Sequence, residues 1–380
     1  MDLGTAKSKS HGRTALLCGA AAFVAMQLLL SAAMDYYEPA LRDPLWGRKI
    51  ALLRSRLAEE PDRPLLVILG SSRAALGVRL GDSPAQDDDV PIVFNLGIMG
   101  AGPVHELVFL HRLLAEGIHP QRLLLEIHPL LMHEEQGYGE VAVLNVNRLD
   151  WRDLGVLRRY VYEPAKLYAR WARSRLLPCL SHRVLFQMHL APGWLEPAYR
   201  NDYAVMTQLD RSGWTPHFRD AVNSLEYRQC LELSVSGYEV AFNDYHITDM
   251  PDRAVREILD ICRHERIAAG LFLMPEASGF RAAYVADTRG KLDDYLARLS
   301  KDCDVPVFDA TLACRDEDFA DGHHLLPPGA KTFAASFRQD VLRPFLGDGA
   351  QQPQTAEEGD RPAAELAGRP AASHPSAVRQ

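Results

Sequence analysis

Residues 65–69, Leu-Leu-Val-Ile-Leu, carry no polar side chain and run straight into Gly70-Ser71-Ser72-Arg73. A short apolar run cut off by a turn signal predicts a buried strand that ends in a tight turn and leaves a hydroxyl at its carboxyl end. Open α/β sheets place their ligands at that end. Far downstream, Asp321-Gly322-His323-His324-Leu325 sets an acid and an imidazole three positions apart, just ahead of a predicted last helix. Ser72, His324 and Asp321 would together supply a nucleophile, its base and the group that orients the base.

Other segments repeat the first pattern. Strands are expected at 92–95, 122–127, 269–274 and 305–308. Helical spacing of apolar residues marks helices at about 103–116 and 251–265, one through Leu292, Tyr295, Leu296 and Leu299, and a last one from about Pro328 with Phe333, Phe337 and Val341 inward. Three glycines, Gly97, Gly100 and Gly102, follow the second strand and mark a backbone that turns sharply. Alternation of this kind predicts an α/β fold: a mostly parallel five-stranded sheet with helices on both faces. With 380 residues, 47% of them hydrophobic, one large domain with an insertion can bury a full core. Between 130 and 248 no strand-helix unit recurs, so that stretch is assigned as an insertion or lid.

Residues 14–34 carry no charge and are long enough to cross a bilayer as a helix. Lys7, Lys9 and Arg13 precede the run, and Asp35 and Glu38 follow it, which sets residues 1–13 in the cytoplasm and the rest outside. Ser31, Ala32 and Ala33 would also suit a cleaved signal peptide, but the run is longer than a usual signal core, which favours a retained anchor. Residues 35–64 would then form a membrane-proximal amphipathic helix and linker through Ile50, Leu53 and Leu57, and the Pro-rich, aperiodic residues 347–380 a disordered tail. Five cysteines lie beyond the anchor; Cys262 falls on a predicted helix's apolar face, and a Cys303–Cys314 bridge is one option in an exported chain. Net charge is -8, which gives no support to nucleic-acid binding. Residues 151–183 nevertheless hold eight Lys/Arg against two acids, a solvated helical face or a contact for anionic headgroups or an acidic glycan. The acidic run Asp87 to Asp89 suits a solvated loop better than a cation site.

With these residues in place the sequence resembles the SGNH (GDSL-like) hydrolase superfamily, over about 65–127 and 251–346. Gly70-Ser71-Ser72 looks like its Gly-Asp-Ser block, Asn95-Leu96-Gly97-Ile98-Met99-Gly100 like its Asn-x-Gly-x-x-Gly turn, and Asp321-Gly322-His323-His324-Leu325 like its Asp-x-x-His-Leu block. Gly329 and Ala330 also fit. The resemblance implies a flavodoxin-like sheet over 65–346, no cofactor, Ser72 as nucleophile, His324 as base and Asp321 as its partner. It also implies an oxyanion hole from the backbone N–H groups of Ser72 and Gly100. One block departs: where the family has Gly-x-Asn-Asp, this chain reads Glu126-Ile127-His128-Pro129, so a side-chain donor worth roughly 2.7–4 kcal/mol is missing. His128, Arg73 or Asn145 are candidates to replace it, and Arg73 and Asn95 are candidate substrate contacts. Anchor, Gly-Ser-Ser-Arg, missing asparagine and insertion together look most like membrane-anchored SGNH-like proteins of bacterial envelopes, some of them linked to O-acylation or deacylation of surface polysaccharides.

The expected function is therefore an extracytoplasmic serine esterase or O-acyltransferase acting on acyl esters or polysaccharide, with or without an acyl-donating membrane protein as partner. The alternative is a non-catalytic envelope protein of the same fold that binds glycan or membrane-protein partners. Bland readings stand beside these. Ser71 and Ser72 would serve a turn without catalysis, and Glu126 and Glu276 are strand-end acids with no stronger claim than substrate contact. His323 breaks the three-residue offset from Asp321. A metal site from His323, His324 and His128 or His133 lacks a helix-face pair, so no metal is expected.

Overall fold

Strand β1 (Leu65–Leu69) is buried at every position, because neighbours pair with it on both edges and helices cover both faces. A computed structural model describes residues 5–37, 39–80, 91–133, 145–196, 199–200 and 208–347. The other strands are β2 (Ile92–Asn95), β3 (Arg122–Glu126), β4 (Ala268–Leu273) and β5 (Val307–Asp309). All pairings are parallel in the order β2-β1-β3-β4-β5, with Ile68 opposite Asn95 and Leu124. The expected sheet is present; β5 starts two residues later than its apolar run, and β3 stops at Glu126, one residue short.

In chain order over the described residues the helices are α1 (Thr5–Ala32), α2 (Pro44–Glu59), α3 (Ser72–Gly77) and α4 (Pro103–Ala115). The insertion contributes α5 (Trp151–Leu157), α6 (Pro164–Leu176), α7 (Pro178–Ser181), α8 (Arg183–Leu190), α9 (Ser224–Gly237) and α10 (Glu239–Asn243). Then come α11 (Asp249–His264), α12 (Ser278–Arg281), α13 (Thr288–Cys303), α14 (Pro327–Phe337) and α15 (Arg343–Gly347).

Side chains on a strand alternate between faces, and the two cores follow that rule. Leu65, Val67 and Leu69 pack with Trp46, Leu107, Val255, Ile258 and Leu296 on one face. Leu66 and Ile68 pack with Phe333, Phe337 and Phe345 on the other. The first core includes Ile50 and Leu53, so the apolar stripe of the expected amphipathic helix α2 covers the sheet. Its Lys49 is fully buried and donates to the carbonyls of Asn95, Gly97 and Gly213 at 2.8–2.9 Å.

Among the described residues one helical stretch, His11–Tyr37, is long and apolar enough to cross a membrane. Its C-terminal part packs on the insertion: Gln27, Ser31 and Met34 are buried, and α1 touches α6 and α7. All six cysteines are free thiols, so the Cys303–Cys314 option is not used, while Cys262 is buried as its helical position implied. The acidic run 87–89 and residues 348–380 lie outside the described residues.

Candidate active site

In the strand order β2-β1-β3-β4-β5 the chain reverses its direction of winding between β1 and β3, and ligands bind such sheets at the carboxyl side of that point. The turn after β1 sits there. Gly70 has no room for a side chain, since a Cβ would come within 2.6 Å of both Ala74 Cβ and Glu126 Oε2. Glu126, at the end of β3, takes the next amides in hand: its Oε2 accepts from Ser71 N (2.7 Å), Ser71 Oγ (3.0 Å) and Ala74 N (3.3 Å). Ser71 caps α3 by accepting from Arg73 N. Ser72 is thereby the first residue of α3, half-buried, with its hydroxyl turned toward the loop after β5.

That loop is equally constrained. Phe319 and Leu325 form an antiparallel bridge, Ala320 N donates to His324 O at 2.9 Å and Leu326 N to Asp318 O at 2.9 Å. Gly322 has φ 94°, a left-handed backbone, and a Cβ there would meet Leu231 Cδ1 at 2.6 Å. Gly329 lets α14 approach the loop, where a Cβ would lie 2.4 Å from Asp318 O. The result is a continuous chain of contacts. Ser72 Oγ is 2.7 Å from His324 Nε2, and His324 Nδ1 is 2.7 Å from Asp321 Oδ2. Asp321 Oδ1 accepts from the backbone N–H groups of His324 (2.9 Å) and His323 (3.2 Å).

Burial pushes the Asp321 carboxyl up, but the His324 imidazole, its hydrogen bond and these amides outweigh burial and hold it well below the usual carboxylate range. An ionised Asp321 fixes the tautomer with Nδ1–H toward itself and leaves the Nε2 lone pair for the Ser72 hydroxyl. His323 and His128 are buried beside this pair. Burial first, then neighbouring positive groups, hold both well below the ordinary histidine value, so they stay neutral. Asp321, His323 and His324 bring donor atoms close enough to one another for a metal ion. Both ring nitrogens of His324 are already within hydrogen-bond range of Ser72 and Asp321, however, so a cation there would have to break the chain.

The other expected residues fall in three places. Gly100 has φ 74° in the exposed turn between β2 and α4. Ile98 N donates to Gly70 O at 3.0 Å, which lays that turn beside the one bearing Ser72. His128 follows β3, buried, its ring 5.8 Å from Tyr238 and 6.3 Å from His323. Its Nδ1 has no hydrogen-bond partner among the described residues. Arg73 and Asn95, expected as substrate contacts, are buried and hydrogen-bonded within the protein. Arg73 is 1% exposed, with Nη1 to Glu276 Oε1 at 3.0 Å, Nη2 to Met274 O at 2.7 Å and Nε 3.7 Å from Glu126 Oε1. Asn95 donates to Ala74 O and Val78 O and accepts from Gly97 N, tying β2 to α3. Glu126 and Glu276 belong to the Arg73 network, and Tyr284 OH donates to Glu276 at 3.0 Å. Asn145 caps a short turn at Val146–Arg148 and lines a separate cavity. His133 contacts the backbone of His246 through Nδ1.

The insertion brings residues that strand-end reasoning missed. His217 and Tyr227 both feel the charge of Asp321, and the Tyr238 ring lies 5.8 Å from that of His323. Trp214 Nε1 donates to Leu76 O at 2.7 Å and Thr215 N to Ala75 O at 3.1 Å, which ties this stretch to α3. The aromatic richness of the segment was the one available signal, and it gave no positions.

The fold and site define a doubly wound, all-parallel α/β protein with a serine, a histidine and an aspartate in hydrogen-bonded series at its switch point. No protein-family model matches the chain, and no curated protein is detectably similar to it. Among solved structures, a Bacteroides fragilis protein provisionally described as an acylhydrolase is similar over 77% of this chain and 97% of its own, at 9% identity and a TM-score of 0.33. That likeness is too slight to carry an argument.

Proposed function

We propose that this chain is a membrane-anchored, extracytoplasmic serine esterase or O-acyltransferase of SGNH type, acting on acyl esters of cell-envelope glycans or similar substrates. The observation that carries the reading is the series Ser72 Oγ to His324 Nε2 to Asp321, with 2.7 Å at each side-chain step. Nucleophile, base and orienting acid in that order are what acyl transfer through a serine requires. His324 Nε2 takes the hydroxyl proton as Ser72 Oγ bonds to the ester carbonyl carbon. The Nδ1–H to Asp321 hydrogen bond stabilises the imidazolium, and the backbone N–H groups of Ser72 and Gly100 receive the oxyanion. His324 then protonates the leaving alkoxide, and water or a sugar hydroxyl takes the acyl group from Ser72 by the reverse steps.

The anchor reading is supported by packing. A leader removed after Ala33 would carry away Gln27 and Ser31, which are buried against the rest of the chain. A cytoplasmic N-terminus follows from Lys7, Lys9 and Arg13 ahead of the apolar run.

The test is intact-mass analysis of the full-length protein in detergent after treatment with a fluorophosphonate. One adduct per chain is expected, lost in Ser72→Ala and in His324→Ala. An unlabelled but folded wild type would overturn the esterase reading and leave the non-catalytic binding protein.

A further inference from the structure

A cavity lies away from the triad, where the long apolar helix gives way to the main domain. It holds about 300 Å³ and is lined by Arg42, Asn145, Asn147, Arg148, His182 and Arg183 among others, with no carboxylate on its walls. Arg42 is buried, its Nη1 3.2 Å from His182 Nε2 and its Nη2 donating to Ser31 O at 3.2 Å. Its charge is met from behind by Asp35, 2.5 Å from Nε, but that single carboxylate is shared with Arg175 at 3.4 Å. Arg148 and Arg183 have no carboxylate partner among the described residues. The cavity therefore carries net positive charge and suits an anion.

Its depth narrows the choice. Cys179 N, in α7, donates to Gln27 Oε1 at 3.2 Å, and Gln27 lies about 10 Å down α1 from Met34 at 1.5 Å per residue. The turn from α6 into α7 and α8 thus runs down beside the anchor instead of standing clear of it. A backbone amide at hydrocarbon depth needs a partner from protein, which the Gln27 side chain supplies. On the helices that line or adjoin the cavity, Leu176, Leu180 and Leu190 are exposed, as is Trp194 just after them, and an exposed tryptophan is of the kind that sits at the headgroup level. Lys166, Arg170 and Arg173 are exposed on α6, which packs beside α1.

We propose that this cavity binds the phosphodiester headgroup of an anionic phospholipid in the leaflet around the C-terminal half of α1, with the lipid chains against Leu180, Leu190 and Trp194. The inference rests on α1 spanning the membrane but not on the esterase chemistry. A lipid held there fixes the tilt of the domain on the membrane, so that the triad is kept at a constant height and orientation above the bilayer.

Native mass spectrometry of the full-length protein released from detergent tests it, with phosphatidylglycerol and phosphatidylcholine as probes and inorganic phosphate as competitor. The expected result is one retained phosphatidylglycerol, in preference to phosphatidylcholine. The Arg148→Gln/Arg183→Gln double variant should bind phosphatidylglycerol about thirtyfold more weakly, the worth of two arginines near an anionic surface. Its melting curve and Ser72 labelling should match wild type, because neither arginine touches the triad. Equal retention of the two lipids, or unchanged retention in the double variant, overturns the proposal. Displacement by millimolar inorganic phosphate overturns it in favour of a free-anion site. Release of the full chain from membranes by an alkaline carbonate wash overturns the anchor and this site with it, while leaving the Ser72 labelling result untouched.

Discussion

Arg73 follows the candidate nucleophile, yet its guanidinium points down into the protein and bridges Glu126 of β3 to Glu276 and Met274 beyond β4. Burial lowers its affinity for a proton, but the two carboxylates outweigh burial and raise it, so the group stays charged. Removing one member of a buried ion network leaves its partners uncompensated, so Arg73→Ala should cost about 3–5 kcal/mol. Urea denaturation measures this; a loss under about 1 kcal/mol would mean that water already reaches the network. Sequence position could not distinguish this role from substrate contact, because the difference lies in the direction of one side chain and in partners 53 and 203 positions away. The contact of Ser72, His324 and Asp321 was legible because Gly-Ser-Ser stands at a strand end and the acid and imidazole lie three positions apart ahead of the last helix, both of which show in the sequence. His128 and His323 give a pH effect with a fixed sign. Both are neutral in the folded chain well below the ordinary value, whereas in the unfolded chain they take up protons near pH 6.5. Protonation therefore favours unfolding, and stability present above about pH 6.5 is lost as the pH falls through the window below it. Urea midpoints at about pH 7.5 and about pH 5 should differ in that direction, and His128→Asn should reduce the difference; a midpoint that stays flat or rises toward acid contradicts it.

At the level of elements, what the sequence disclosed was what burial on two faces forces. Strands β1, β2 and most of β3 are fully buried and so wholly apolar apart from the terminal Asn95 and Glu126, and the helices over them show a clear stripe. The insertion gave no such signal, because helices such as α9 bury no residue fully and are held by scattered contacts. Helix α2 gave an incomplete one: three apolar positions marked a short amphipathic helix without showing that it covers the sheet. Its decisive residue is polar. Lys49 carries three N–H donors to three carbonyls, one from the end of β2, one from the glycine turn and one from the strap at Gly213. Three acceptors favour the ammonium form, against burial, which pulls its pKa down to about 7. Lys49→Met keeps the volume of the stem and leaves those carbonyls without a donor, so a loss of at least about 2 kcal/mol is expected. Hydrogen exchange should show it first at Leu96 and Ile98, whose amides donate to Ile68 and Gly70 and align the Gly100 turn with Ser72. Uniform loss of protection across all five strands would mean that Lys49 serves global stability and not that turn.

For the whole molecule, the question is whether α1 is a tether or a structural part of the domain. A tether would leave solvent or lipid on every side of the helix up to its last residue. Instead Leu30 and Met34 join Leu185, Met188 and Leu195 in a small core of their own, and Asp35 holds Arg42 and Arg175 beside it. The charge distribution points the same way: a chain of net -8 concentrates its basic residues in the segment packed beside the apolar helix, where an anionic surface would meet them. Deleting residues 1–38 removes one side of that small core and exposes Leu185, Met188 and Leu195, in addition to Leu180, Leu190 and Trp194, which are already exposed. Contiguous apolar surface of that kind drives association in water. The truncated chain should run as oligomers or aggregates by size-exclusion chromatography with light scattering, and become monomeric on addition of detergent. Its triad lies elsewhere, on turns held by β1, β3 and the loop after β5, so fluorophosphonate should still label Ser72 in the detergent-solubilised truncation. A truncated chain that is monomeric without detergent, and melts where the full chain does, would make α1 a tether and leave the packing around Met34 without energetic weight.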